Sequence, residues 1–172
     1  MKINNNYLKE QLKHLYWLNG GPCAGKTTMT KKFVEEHCQW LFQVVEEMMD
    51  FFIINLLKLP DDKPIIIDLG IMPEFILLFI PEERMICFYT SDAEIERLYY
   101  FREDHKMILD CINAYTLYPE ETIKHSNKSM IKFSNEIKNA CTKLGIKTIE
   151  RTPNMSVEEQ FRLVREHFKI LG

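Results

Sequence analysis

The most specific chemistry in this 172-residue chain lies in eight consecutive residues. They are Gly20, Gly21, Pro22, Cys23, Ala24, Gly25, Lys26 and Thr27, followed by Thr28. The pattern G-x-x-x-x-G-K-[ST] suits the binding of a polyphosphate such as ATP. Glycines let successive backbone N–H groups turn inward, and a helix starting at the lysine adds its positive end, so an anion is held without a fixed countercharge. Lys26 then reaches the β- and γ-phosphates, and the Thr27 hydroxyl is a hard oxygen donor suited to Mg²⁺. Asp68, which closes the apolar run Pro64-Ile-Ile-Ile-Asp68, is the carboxylate such a site needs for Mg²⁺. Each feature also has a plainer reading. The glycine-rich stretch can be a simple strand-to-helix turn with a solvated lysine, and Asp68 can cap the turn at Leu69-Gly70. A cysteine-nucleophile phosphatase loop, C-x₅-R, is excluded because the position that needs Arg is Met29.

These residues need elements to position them. His14–Asn19 is an apolar run that delivers the chain to the loop, and Lys26–His37 has a helical pattern. Further short apolar runs at Leu41–Val45, Pro64–Asp68, Arg84–Tyr89 and Ile146–Glu150 read as strands. Pro64–Asp68 lacks polar alternation, as a strand covered on both faces does. Helices are expected between them: Glu46–Leu59, with apolar residues at i, i+3 and i+4 spacing; Pro73–Phe79; a helix capped by Ser91 or Asp92 and running toward Cys111; and a long one from Pro119 to Gly145. Ser156-Val-Glu-Glu159 forms a capping box that opens a last helix to about Ile170. Asn113–Pro119 reads as a loop. Strands alternating with helices imply an α/β domain on a parallel sheet with right-handed crossovers.

The segment GGPCAGKTT resembles the P-loop of the small-molecule and nucleoside monophosphate kinases, the adenylate-kinase-like group of P-loop NTPases. Asp68-Leu-Gly70-Ile-Met-Pro73 is similar to that group's acidic-Gly-x-x-Pro segment, with one residue separating the acid from the glycine. The resemblance implies a three-layer fold over residues 1–172, with a five-stranded parallel sheet in order 2-3-1-4-5 and helices on both faces. It implies an ATP-dependent, Mg²⁺-assisted phosphotransferase acting on a small molecule: a nucleoside, a nucleotide or another metabolite. Arg97 and Arg102 fall where these kinases carry lid arginines. Glu46, Glu47 and Asp50 fall where an acidic residue contacts the acceptor. Thr152, Pro153 and Asn154 fall where the loop that holds adenine would be. The alternatives are a solvated helix in which the arginines pair with Glu94, Glu96, Glu103 and Asp104, and an acidic first helical turn at 46–50. His105 and Lys106 lie close by in sequence. The chain departs from the group between its second and third strands, where only Glu46–Lys63 is present in place of a longer substrate-binding insertion.

Composition narrows the remaining classes. The formal charge is −3, from 22 basic and 25 acidic residues, so no strongly basic field exists to hold nucleic acid. Five cysteines at 23, 38, 87, 111 and 141 are widely spaced without C-x-x-C, which argues against zinc and against a disulfide framework. Reduced thiols, the absence of an apolar signal segment and of a long apolar span predict a cytoplasmic protein that does not engage membranes, as a monomer or homodimer. An N-K-x-D motif is absent after any strand, which argues against a Ras-type GTPase. Two rival functions remain: an ATP- or GTP-binding switch that hydrolyses slowly, and a non-catalytic interaction domain that keeps the glycine-rich turn as a fold element.

Overall fold

The computed structural model describes residues 5–36, 41–44 and 49–170, apart from the side chains of 5, 41–44, 49–52 and 104. Strands β1 (Leu15–Gly20), β3 (Ile65–Asp68), β4 (Met85–Tyr89) and β5 (Lys147–Glu150) carry the described side chains of a parallel sheet, in spatial order β3-β1-β4-β5. The segment β2 (Leu41–Val44) pairs in parallel with β3 at the edge, which completes the order β2-β3-β1-β4-β5. The register sets Leu18 beside Asp68 on one flank of β1, and Gly20 beside Phe88 on the other. Because the strands are parallel, Gly20, Asp68, Tyr89 and Glu150 all end at one edge of the sheet.

Two-residue periodicity divides the strand side chains between two cores. Leu15, Trp17, Ile65, Ile67, Met85 and Cys87 point to one face. There they pack with Leu8 and Leu12 around α1 (Asn5–Gln11), Leu56 of α3 (Met49–Leu56), Ile76 of α4 (Pro73–Ile76), and Ile137 and Cys141 of α7 (Pro119–Lys143). Leu18, Ile66, Ile86, Phe88 and Ile149 point to the other. They meet Met29 and Phe33 of α2 (Lys26–Glu36), and Phe161, Val164 and Phe168 of α8 (Val157–Phe168). Both faces of the sheet are therefore covered, and this is why its strands read as near-continuous apolar runs. The caps follow the sequence: Ser91 Oγ accepts from the Glu94 N–H at 3.3 Å, and Ser156 Oγ from the Glu159 N–H at 3.1 Å. Gly145, at φ 76°, ends α7 in the left-handed conformation.

The structure departs from the sequence reading in three places. The polar N-terminal segment forms a helix, α1, because Leu8 and Leu12 are four apart and seal one end of the core. The single helix expected from residue 92 to Cys111 is two: α5 (Asp92–Leu98) and α6 (Lys106–Tyr115), separated by a 3₁₀ turn at Glu103–His105. Arg102 has an extended backbone there (φ −75°, ψ 146°), and the buried Tyr100 anchors the bend. No Gly or Pro marks that break. The expected loop at 113–119 begins after Tyr115, since α6 runs on to that residue. Among the described residues no helix is long and apolar enough to cross a membrane.

Candidate phosphate and metal site

The 20–27 loop sits at the carboxyl edge of the sheet, between β1 and α2. Its conformation depends on residues with little or no side chain. Gly20 has φ 127°, and a Cβ there would lie 1.8 Å from the Phe88 carbonyl oxygen of the neighbouring strand. A Cβ on Gly21 would lie 2.0 Å from Ser134 Oγ of α7. The loop therefore packs directly against β4 on one side and α7 on the other. Cys23 takes φ 60°, an unusual state for a residue with a side chain.

Four polar anchors hold this shape. The buried Asn19 accepts from the Gly20 N–H at 2.9 Å and from the Ile71 N–H at 3.1 Å, and donates to the Ile71 carbonyl at 3.0 Å. It thus ties the loop to the segment after β3. Gln160 of α8, also buried, donates to the Ala24 carbonyl at 3.0 Å. Thr30 donates to the Lys26 carbonyl at 2.9 Å. Arg151, the first residue after β5, donates Nη1–H to the Cys23 carbonyl at 2.7 Å. Sequence reasoning passed over Asn19, Gln160 and Arg151. A signal for Arg151 does exist: any cation one residue beyond a parallel strand's carboxyl end lies at the ligand edge.

Inside the loop, the Thr27 hydroxyl donates to Asp68 Oδ2, and Lys26 Nζ lies 4.0 Å from Asp68 Oδ1 and donates to the Gly21 carbonyl at 2.8 Å. The three residues singled out for phosphate and metal chemistry are thus brought together. Burial pushes the Lys26 ammonium below the ordinary lysine range; Asp68 acts against that shift, and the nearby Arg102 charge adds to it. A lysine in this state gains most from an anionic neighbour. The pair of Thr27 and Asp68 also fits Mg²⁺, which is commonly held by one or two protein oxygens with phosphate and water completing its octahedron.

A cavity of about 130 Å³ opens at the loop, lined by Cys23, Ala24, Gly25, Lys26, Thr27, Thr28, Arg102 and Arg151. Arg102 therefore stands at the cradle. Arg97 stands elsewhere: it makes a two-point pair with Glu94 (3.0 and 2.8 Å) and lines a second cavity of about 200 Å³ with Thr90, Arg151, Thr152 and Pro153. Arg151 joins the two cavities. Pro22 lies in the loop between Gly21 and Cys23, and Asn154 is exposed, outside the lining of the second cavity. Glu46 and Glu47 lie outside the described residues; Asp50 lies in α3, but its side chain is not among those described. A larger depression of about 620 Å³ lies between α2 and α8; of its cations Lys32, Arg162, Arg165 and Lys169, the first two are paired with Glu36 and Glu166. Comparison with protein-family models, curated proteins and solved structures found no match.

Proposed function

We propose that the chain is a P-loop phosphotransferase of three-layer, five-stranded kinase architecture, moving the γ-phosphoryl group of ATP to a small molecule. The observation that carries this reading is the convergence of Lys26, Thr27 and Asp68 under a loop whose backbone is held open by Asn19, Gln160 and Arg151. An interaction domain that kept only the turn would have no use for a carboxylate 4.0 Å from a largely buried lysine. Mg²⁺ bound at Thr27 and Asp68 would neutralise phosphate charge. Lys26 and Arg102 supply fixed positive charge where it develops on the transferred group. Thr152 and Pro153, with Arg97 and Leu98 across the second cavity, offer walls for the nucleotide base. The acceptor approaches from the side of Asp50, across the short segment between β2 and β3.

The test is transfer of label from γ-³²P-ATP, with Mg²⁺, into pooled small metabolites, fractionated to find the acceptor. Label should enter an organic phosphate with wild-type protein and not with Lys26→Ala. Binding of ATP without transfer to any fraction would support the slow switch instead.

A further inference from the structure

We infer that His105 is a positioning residue that holds the Arg102 guanidinium over the phosphate cradle, and that it does so only while its ring is neutral. Arg102 Nη2 lies 2.6 Å from His105 Nε2. Arginine carries five donors and no acceptor, so the ring nitrogen facing it must present its lone pair. That places the imidazole proton on Nδ1, which is buried and has no hydrogen-bond partner among the described residues. The two side chains are also fixed to each other through the backbone: the His105 N–H donates to the Arg102 carbonyl at 3.0 Å, closing the 3₁₀ turn. The ring is held on its far side by Tyr99, edge-on at 4.7 Å and 84°. Imidazole and guanidinium thus form one unit in the turn between α5 and α6. Arg102 itself lines the cavity over Lys26 and Thr27.

Protonating His105 turns Nε2 from acceptor to donor and sets two cations against each other. The hydrogen bond is lost and the two cations repel. Tyr99 is kept neutral, since burial raises its hydroxyl above the ordinary tyrosine range. Lys26 and Arg151 line the same cavity as the guanidinium, and Lys106 follows His105 in sequence. Glu103 is exposed, and the side chain of Asp104 is not among those described.

The inference rests on the proposed phosphotransfer for its kinetic consequence, but not for its structural one. The experiment measures kcat and the KM for ATP from pH 5 to 8 in wild type, His105→Gln and His105→Ala. Nitrogen-15 spectra of the histidine ring and of the Arg102 side chain are recorded alongside. In wild type, kcat should fall about tenfold per pH unit on the acid side while the KM for ATP stays level. Glutamine, whose amide oxygen accepts from Arg102 without titrating, should keep the pH 8 kcat and lose the acid limb. Alanine should lower kcat about tenfold at every pH. The spectra should show the Nδ1–H tautomer, and Arg102 side-chain protons protected at pH 8 but not at pH 5; in His105→Gln they should be protected at both. An acid limb that survives in His105→Gln, or a ring proton on Nε2, overturns the inference. If the wild type transfers no phosphate, the kinase reading fails and the spectra alone decide the role of His105.

Discussion

At the scale of single residues, the site is a balance between stability and use. Lys26 is largely buried, and its ammonium is disfavoured by that burial even beside Asp68. Such a group is costly to the fold and gains from a bound polyphosphate. Two opposite outcomes follow for one position. Lys26→Ala removes the cation proposed to meet the β- and γ-phosphates, and should lower phosphotransfer by about 10² to 10³ with the fold intact, as checked by steady-state kinetics and circular dichroism. Lys26→Met keeps the volume of the stem without the charge. It should raise the melting temperature of the protein alone by about 2–4 °C, roughly 1 kcal/mol for a domain of this size, measured by calorimetry. Much of this residue-level picture was legible beforehand, because the spacing of glycine, lysine and threonine follows from phosphate geometry. Arg102 could be nominated but not separated from Arg97, since which arginine faces the cradle depends on a bend with no Gly or Pro to announce it. Gln160 and Arg151 act through carbonyls of a loop distant in sequence, and Asn19 ties that loop to Ile71, 52 residues on; no local pattern encodes such partners.

At the scale of elements, the loop works because β1, β4 and α7 leave it no room for side chains. Gly21 illustrates this: a Cβ would lie 2.0 Å from Ser134 Oγ and 2.4 Å from Ser134 Cβ. Gly21→Ala should therefore destabilise the protein by about 1–3 kcal/mol, read from urea unfolding. Adding Ser134→Gly removes the two nearest clashes and should recover part of the loss, despite the cost of glycine in a helix. An absence of recovery would mean that Ser134 is not what excludes a side chain at Gly21. The strands and most helices could be read from apolar runs and caps, since a buried parallel strand and a Ser-x-x-Glu start leave strong local marks. The α5–α6 break and α1 left none: the first is decided by where Tyr100 and Arg102 must go, and the second rests on only two core leucines. The α6 helix shows the same limit in another form, for it buries no residue fully and leaves Met107 75% and Tyr115 86% exposed.

At the scale of the whole molecule, two cores on opposite faces of the sheet support its carboxyl edge, and half-buried histidines tie their stability to pH. His167 Nε2–H donates to the Met85 carbonyl at 2.8 Å, which links α8 to β4. Burial lowers the pKa of both His167 and His14 below the ordinary value of 6.5. Their folded-state values are depressed, so the stability they contribute is present above 6.5 and is lost as pH falls through the lowered values. The melting temperature should drop as pH is taken from 6.5 toward 5, and His167→Gln, which keeps a donor and cannot titrate, should flatten part of that drop. The central claim, that Lys26, Thr27 and Asp68 form one magnesium–polyphosphate cradle, is tested most directly by calorimetric titration of ATP into wild type and Asp68→Asn, each with and without Mg²⁺. The account predicts that Mg²⁺ tightens ATP binding to wild type, while Asp68→Asn binds metal-free ATP as wild type does and gains little from the metal. ATP binding that ignores Mg²⁺ in wild type, or no ATP binding at all, would contradict it.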